Sequence, residues 1–234
     1  MNILIIGGMH GNETLGIELV KMLQNNPIDG IDALIANDIA VKDAVRFTGK
    51  DLNRSFPGTL KAVGYEERRA AELVLLCKKY DVVLDFHNTY CSDNDCSFVG
   101  ETASKALLSV SSELGLKRVI VADYDCLNKY AANCISIEVS MDSKQNDVTI
   151  WYEKVKNLQK ATLSESSDIE TYRFVYRMTL EDRDRLQLDT KNLKAFQQMN
   201  KELADKLGVN SPAYPIFVGD AFTPYNYGGI LNKI

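Results

Sequence analysis

The sequence predicts an α/β fold, a mixed and largely parallel sheet flanked by helices. Three observations lead there. Short, wholly apolar runs end in glycine or polar turns, as strands covered on both faces do. Between these runs lie stretches whose apolar residues recur at helical spacing. The 234 residues, 45% hydrophobic and 25% charged, are ordinary for a globular protein able to bury a core without disulfide or metal staples. At about 150 residues per domain, this length suits one large domain with a small companion.

Residues 3–6 form the first apolar run, stopped by Gly7 and Gly8. Leu15, Leu19, Val20 and Leu23 then recur at helical spacing, predicting a helix over 14–24. Residues 32–40 alternate apolar and polar side chains and read as a second strand. Residues 42–64 carry Gly, Pro and many polar side chains and read as a long loop, a feature that is often functional in compact domains. A helix returns over 66–79, with Ala70, Ala71, Leu73, Val74 and Cys77 on one side.

Residues 81–87 follow as a strand, with Val82, Leu84 and Phe86 facing one way and Val83, Asp85 and His87 the other. A helix over 103–114 and strands over 117–122 and 134–140 come next, then a helix over 146–160 that contains the lone Trp151. Alternation of this kind implies a sheet with parallel neighbours. The Ser-rich segment 163–168 reads as a linker, which divides the chain into 1–160 and 161–234. Beyond it, 172–180 and 213–222 read as strands, and 193–207 stays open between helix and irregular strands.

Net charge is −5 and the pI about 5.2, with no basic run longer than a pair, so nothing points to a nucleic-acid partner. The five cysteines lack a CxxC pair and suit reduced thiols in a cytoplasmic protein. The N-terminal residues lack the basic region of a signal peptide, and no stretch has the roughly 18 apolar residues of a membrane span. No membrane partner is therefore expected. The oligomeric state stays open, a homo-oligomer included.

Four segments carry candidate chemistry. In Gly7-Gly8-Met9-His10-Gly11-Asn12-Glu13, an imidazole and a carboxylate three residues apart could supply half of a zinc site. A glycine-rich turn is the plainer reading, and the phosphate-loop spacings that would mark a nucleotide site are absent. Asp85-Phe86-His87-Asn88-Thr89 delivers the second of only two histidines to a strand end, where α/β sheets place ligands. A histidine packed at the strand end and satisfied by a carbonyl is the plainer reading of His87 alone. His10, Glu13 and His87 together would make the two-nitrogen, one-carboxylate set of some catalytic zinc sites, with Asp85 either a supporting carboxylate or one that faces a helix N-terminus. The segment Asp51-Leu52-Asn53-Arg54, with Arg46 upstream, offers donors for a carboxylate or an oxyanion; solvated surface charge is the alternative. Glu138 interrupts an apolar strand, and the readings of salt bridge and general base are equally open.

In order and spacing these four segments resemble the aspartoacylase and succinylglutamate desuccinylase family, which is grouped with the zinc carboxypeptidases, from residue 3 to about 140. The resemblance implies a carboxypeptidase-like fold and one zinc ion per chain held by His10, Glu13 and His87. It implies Glu138 as base and proton shuttle, Arg46 as the carbonyl-polarising group, and Asn53 and Arg54 as the grip on the amino acid's carboxylate. It further implies a small β-rich C-terminal domain over the site, from about residue 160, and a substrate-binding tyrosine for which Tyr225 is chosen and Tyr227 is the alternative.

One departure concerns specificity. Aspartate-specific members carry a further Arg about ten residues before the base, where this chain has Asn128 beside Lys129, so preference for an acidic amino acid is not expected. The implied activity is zinc-dependent hydrolysis of the amide bond of a small N-acyl amino acid. The alternatives are a zinc carboxypeptidase or amidase acting on a peptide or cell-wall fragment, and a non-catalytic protein that has kept the metal.

Overall fold

A computed structural model describes residues 1–161, 168–189, 191–219 and 226–234. Among the described residues nine strands form one sheet, in the order β2-β1-β3-β6-β4-β5-β7-β9-β8. The strands are β1 (Ile3–Gly7), β2 (Ile31–Ile35), β3 (Val82–Thr89), β4 (Cys96–Val99), β5 (Arg118–Val121), β6 (Cys134–Ser140), β7 (Glu170–Thr179), β8 (Ala213–Ile216) and β9 (Asn226–Lys233). Pairings β1/β2, β1/β3, β3/β6, β4/β5 and β5/β7 are parallel; β4/β6, β7/β9 and β8/β9 are antiparallel. The mixed, mostly parallel sheet is the one expected from the sequence.

Helix α1 (Thr14–Asn25) joins β1 to β2, and α3 (Tyr65–Cys77) leads into β3. They cover opposite faces. Leu15, Leu19 and Leu23 of α1 pack with Ile3, Ile5, Leu84 and Phe86, a cluster that α4 (Lys105–Glu113) and α6 (Val148–Lys160) complete through Val110 and Trp151. Ala70, Leu73 and Cys77 of α3 pack with Leu4, Ile6 and Val83 on the other side. Alternate residues of β1 and β3 thus enter two cores, which is why both strands read as continuous apolar runs.

The chain leaves β1 toward β2 on one side and returns to β3 on the other. This is a topological switch point, and ligands bind in the crevice at the carboxyl ends of strands at such a reversal. Gly8 makes the turn out of β1 with φ +69°, which an L side chain rarely adopts. Gly7 brings β1 against α1 so closely that an added Cβ would lie 2.2 Å from the Gly16 carbonyl oxygen.

Several expectations need correction. The strand expected over 32–40 stops at Ile35, because the Asn37 side chain accepts from the Ala40 amide and caps the short helix α2 (Asp38–Lys42). The loop after it contains a single 3-10 turn, Leu52–Arg54. Strand β4, the short helix α5 (Leu127–Tyr130), helix α7 (Leu180–Leu186) and strand β9 went unforeseen. In the segment left open, only α8 (Lys201–Lys206) is regular, and the strand expected over 213–222 ends at Ile216. Of the expected linker, residues 163–167 lie outside the described residues.

Candidate metal centre

The site is assembled at the carboxyl ends of three adjacent strands. His10 and Glu13 occupy the turn after β1, where the Glu13 amide donates to the His10 carbonyl at 3.3 Å. His87 lies near the end of β3, in register with Glu138 of β6, while Asp85 pairs with Ser136. Side chains at register positions of parallel strands share a face, so Asp85, His87, Ser136 and Glu138 all face the same way.

Asn88 locks β3 to the helix that follows β1. Its Oδ1 accepts from the Leu15 amide at 3.0 Å, its Nδ2 donates to the Val139 carbonyl at 3.2 Å, and its own amide donates to Glu13 Oε2 at 3.2 Å. One asparagine thereby fixes Glu13 relative to His87.

Glu13 stands between the two imidazoles. His10 Nδ1 lies 2.7 Å from Oε1 and His87 Nδ1 3.0 Å from Oε2. The opposite ring nitrogens meet further carboxylates, His10 Nε2 with Asp51 Oδ1 at 3.1 Å and His87 Nε2 with Asp85 Oδ2 at 2.9 Å. Asp51 Oδ1 also accepts from the Asn53 amide at 2.9 Å and so caps the 3-10 turn. Buried Leu52 and Phe56 anchor that turn in the core beneath α3.

Burial opposes charge on all these groups, but their neighbours prevail. Burial would raise the Glu13 pKa, yet the His10 and His87 charges and hydrogen bonds hold it well below the usual carboxylate range. Burial would lower both histidine pKa values; Glu13 and Asp51 raise that of His10, and Asp85 and Glu13 raise that of His87. Asp51 is held at about 2, because the His10 hydrogen bond and the His10 and Arg46 charges outweigh its burial. Glu138 is the exception. Burial and the Glu13 charge push it up to about 7 against the pull of His87, His10 and Arg46.

The donor set fits a zinc ion. Ligand atoms of His10, Glu13 and His87 all lie within 4.8 Å of one another. Four carboxylates, Glu13, Asp51, Asp85 and Glu138, gather around two imidazoles and the Arg46 guanidinium. That surplus of negative charge suits a divalent cation, which would compete with the protons the histidines hold. With Asp51 and Asp85 on the Nε2 atoms, it is the two Nδ1 atoms, both turned toward Glu13, that would serve as ligands once a metal displaces their protons, the usual carboxylate–histidine–metal arrangement.

Arg46 donates from one terminal nitrogen to Glu13 Oε1 at 3.0 Å and lies 3.9 Å from Asp51 with the other. Together with Asn53, Arg54 and Glu138 it lines the cleft that opens above His10 and Glu13. Tyr225 lies outside the described residues. Its alternative, Tyr227, turns away from the cleft: it is buried against the C-terminal core and donates to the Leu188 carbonyl at 3.1 Å. Asn128 is buried beside Cys126 and does not line the cleft, and Lys129 pairs with Asp123 and Asp125 at the surface.

The opposite wall was not foreseen from the sequence. Phe98, Tyr124, Phe174, Arg177 and Phe217 line it, with Gly228 and Gly229. Phe98 stacks on Phe217 at 5.9 Å and meets Tyr124 edge-on at 6.2 Å. A Cβ at Gly229 would fall 2.4 Å from the Phe174 ring, so a glycine there leaves room for that wall.

Residues 1–150 match the family model described as the succinylglutamate desuccinylase/aspartoacylase catalytic domain. An N-acyl-aromatic-L-amino acid amidohydrolase (carboxylate-forming) of Xenopus laevis is 36% identical over 106 residues, covering 37% of this chain and 34% of that protein. The match thus spans about a third of that relative's length. Among solved structures, succinylglutamate desuccinylase from Chromobacterium violaceum superposes with a TM-score of 0.74 at 18% identity, covering 100% of this chain and 84% of the other. Murine aminoacylase 3 gives 0.72 at 19% identity, covering 100% and 95%. At such identities the structural likeness speaks for the fold.

Proposed function

Because the chain belongs to the succinylglutamate desuccinylase/aspartoacylase family, we propose that it is a zinc-dependent hydrolase that cleaves the amide bond of an N-acyl amino acid. The observation that carries this reading is the convergence of His10, Glu13 and His87, with Glu138 lining the same cleft. Zinc held by these three residues would acidify a water molecule and polarise the substrate carbonyl.

The chain's own residues do the rest. Glu138, in the lining of the same cleft, takes a proton from the attacking water and passes it to the leaving amine nitrogen. Arg46 donates to the carbonyl oxygen as negative charge develops there; removing such a donor costs roughly 3 kcal/mol of transition-state stabilisation. Asn53 and Arg54 hold the α-carboxylate and aim the amide at Glu138. Asp51 and Asp85 fix the imidazoles in orientation and tautomer.

Residues 161–234 act as the unit that covers the site, a role supported by Phe174, Arg177, Phe217 and Gly229 in the cleft wall. No disulfide joins the five cysteines and four of them are buried, which supports placing the protein in the reducing cytoplasm.

The test is a panel of N-acyl amino acids and short peptides offered to the zinc-loaded protein. Release of free amino acid from the former, and its loss in Glu138→Gln with the metal retained, is the expected result. Cleavage of peptides alone would favour the carboxypeptidase alternative, and no turnover at all would favour a binding protein.

A further inference from the structure

We propose that Arg177 is a specificity-determining residue that receives a second carboxylate of the substrate, so that the protein favours N-acyl amino acids with a negative charge beyond the α-carboxylate. This rests on the deacylase reading above and deepens it.

Arg177 lies on β7, half-buried, in the wall facing Arg54 and Glu138. Among the described residues no carboxylate pairs with it. Its contact is the face of Tyr124, with the guanidinium carbon 5.8 Å from the ring centroid. Arg54 lies over the same ring at 5.3 Å. Two guanidinium groups therefore converge on one aromatic side chain, and among the described residues Arg54 has acids within electrostatic reach, Asp51 and Asp125, while Arg177 has none. Burial, and then the Arg54 charge, disfavour the charged form of Arg177. A partly desolvated cation without a partner is costly, and an anion entering the cleft would relieve that cost. The planar fork of a guanidinium suits a carboxylate in particular.

The backbone is arranged to bring this side chain in. Strict alternation would put residues 174 and 177 on opposite faces of a strand. The pairing of β7 with β9 slips between Phe174 and Tyr176, and both Phe174 and Arg177 line the cleft as a result. Gly229, the register partner of Arg177, offers no side chain to compete for the space. Asn128, ten residues before Glu138, is buried on helix α5 and absent from the cleft lining, whereas Arg177 of β7 lines it.

The test compares ligand pairs that differ in one charge and are not themselves hydrolysed: L-glutamate with L-glutamine, and succinate with butyrate. Binding to the zinc-loaded protein is measured by calorimetry for wild type, Arg177→Gln and Arg177→Lys. In wild type, at least one dicarboxylate member should bind about tenfold tighter than its partner, or more, the worth of a charge-assisted hydrogen bond. A preference within the first pair assigns the second carboxylate to an acidic side chain, and within the second pair to the acyl group. Arg177→Gln should abolish the preference while leaving affinity for the member with one carboxylate intact, and Arg177→Lys should keep part of it. Equal binding within both pairs in wild type would overturn the proposal, as would a preference that survives Arg177→Gln. Failure of the deacylase reading would show separately, as no amino acid released from any N-acyl substrate, and the binding comparison stands without turnover.

Discussion

Asp85 and His87, two positions apart on β3, meet at 2.9 Å between Oδ2 and Nε2, deep in the sheet where both are almost wholly buried. The carboxylate accepts from Nε2 and so turns Nδ1 toward Glu13 and the cleft, as the ring atom that a metal would take once its proton is displaced. Asp85→Asn should therefore lower zinc affinity by about 10–100-fold, read by competition with a chelator of known affinity. Unchanged affinity in a folded variant would show that Asp85 does not orient the ligand.

His10 has the same support from a different part of the chain, the Asp51 side chain at 3.1 Å. Asp51→Asn should also weaken zinc binding by about 10–100-fold. The amide oxygen can still accept from the Asn53 amide, so the 3-10 turn should survive. Because Asp51 and Asp85 act on different ligands, the losses in the double variant should add on a free-energy scale; a double variant no weaker than either single one would refute independent support.

The elevated carboxyl of Glu138 carries a pH signature in metal-free protein. Its pKa rises from 4.5 to about 7 on folding, so the folded state binds its proton more tightly than the unfolded chain does. Ionising this carboxyl then costs the folded state stability, a cost absent below the unfolded value and growing as pH climbs through 4.5 to about 7. Glu138→Gln removes the cost. The metal-free variant should melt above wild type at about pH 8 and alongside it at about pH 4; equal melting temperatures across this range would contradict the shift.

The approach of β1 to α1 depends on Gly7, where a Cβ would sit 2.2 Å from a backbone oxygen that has no flexible end to give way. Gly7→Ala should destabilise the protein by about 1–3 kcal/mol or more, measured by urea unfolding. It should also weaken zinc binding, since His10 follows three residues later.

The clustering of His10, Glu13 and His87 was legible because histidines are rare here and the segments rigid. With only His10 and His87 to choose from, and each set at the end of a strong apolar run, the sheet could bring them together in few ways. The supporting role of Asp51 was hidden, because it depends on how a long loop folds back over β1 rather than on any local period. Arg177 and Phe174 were hidden by the slip in pairing between β7 and β9, which breaks the alternation from which a strand's faces are read. Strand β4 escaped notice because four residues, Cys96 to Val99, are too short a run to show a period. The strand over 32–40 was overextended because the Asn37 cap was not weighed against the alternation.

The most direct measurement is anomalous diffraction at the zinc edge from crystals grown with the metal. The expected result is a single peak per chain, about 2.0–2.2 Å from the Nδ1 atoms of His10 and His87 and from a Glu13 oxygen. A peak bound elsewhere, or ligation through only one of the two histidines, would contradict the metal centre and the hydrolysis built upon it.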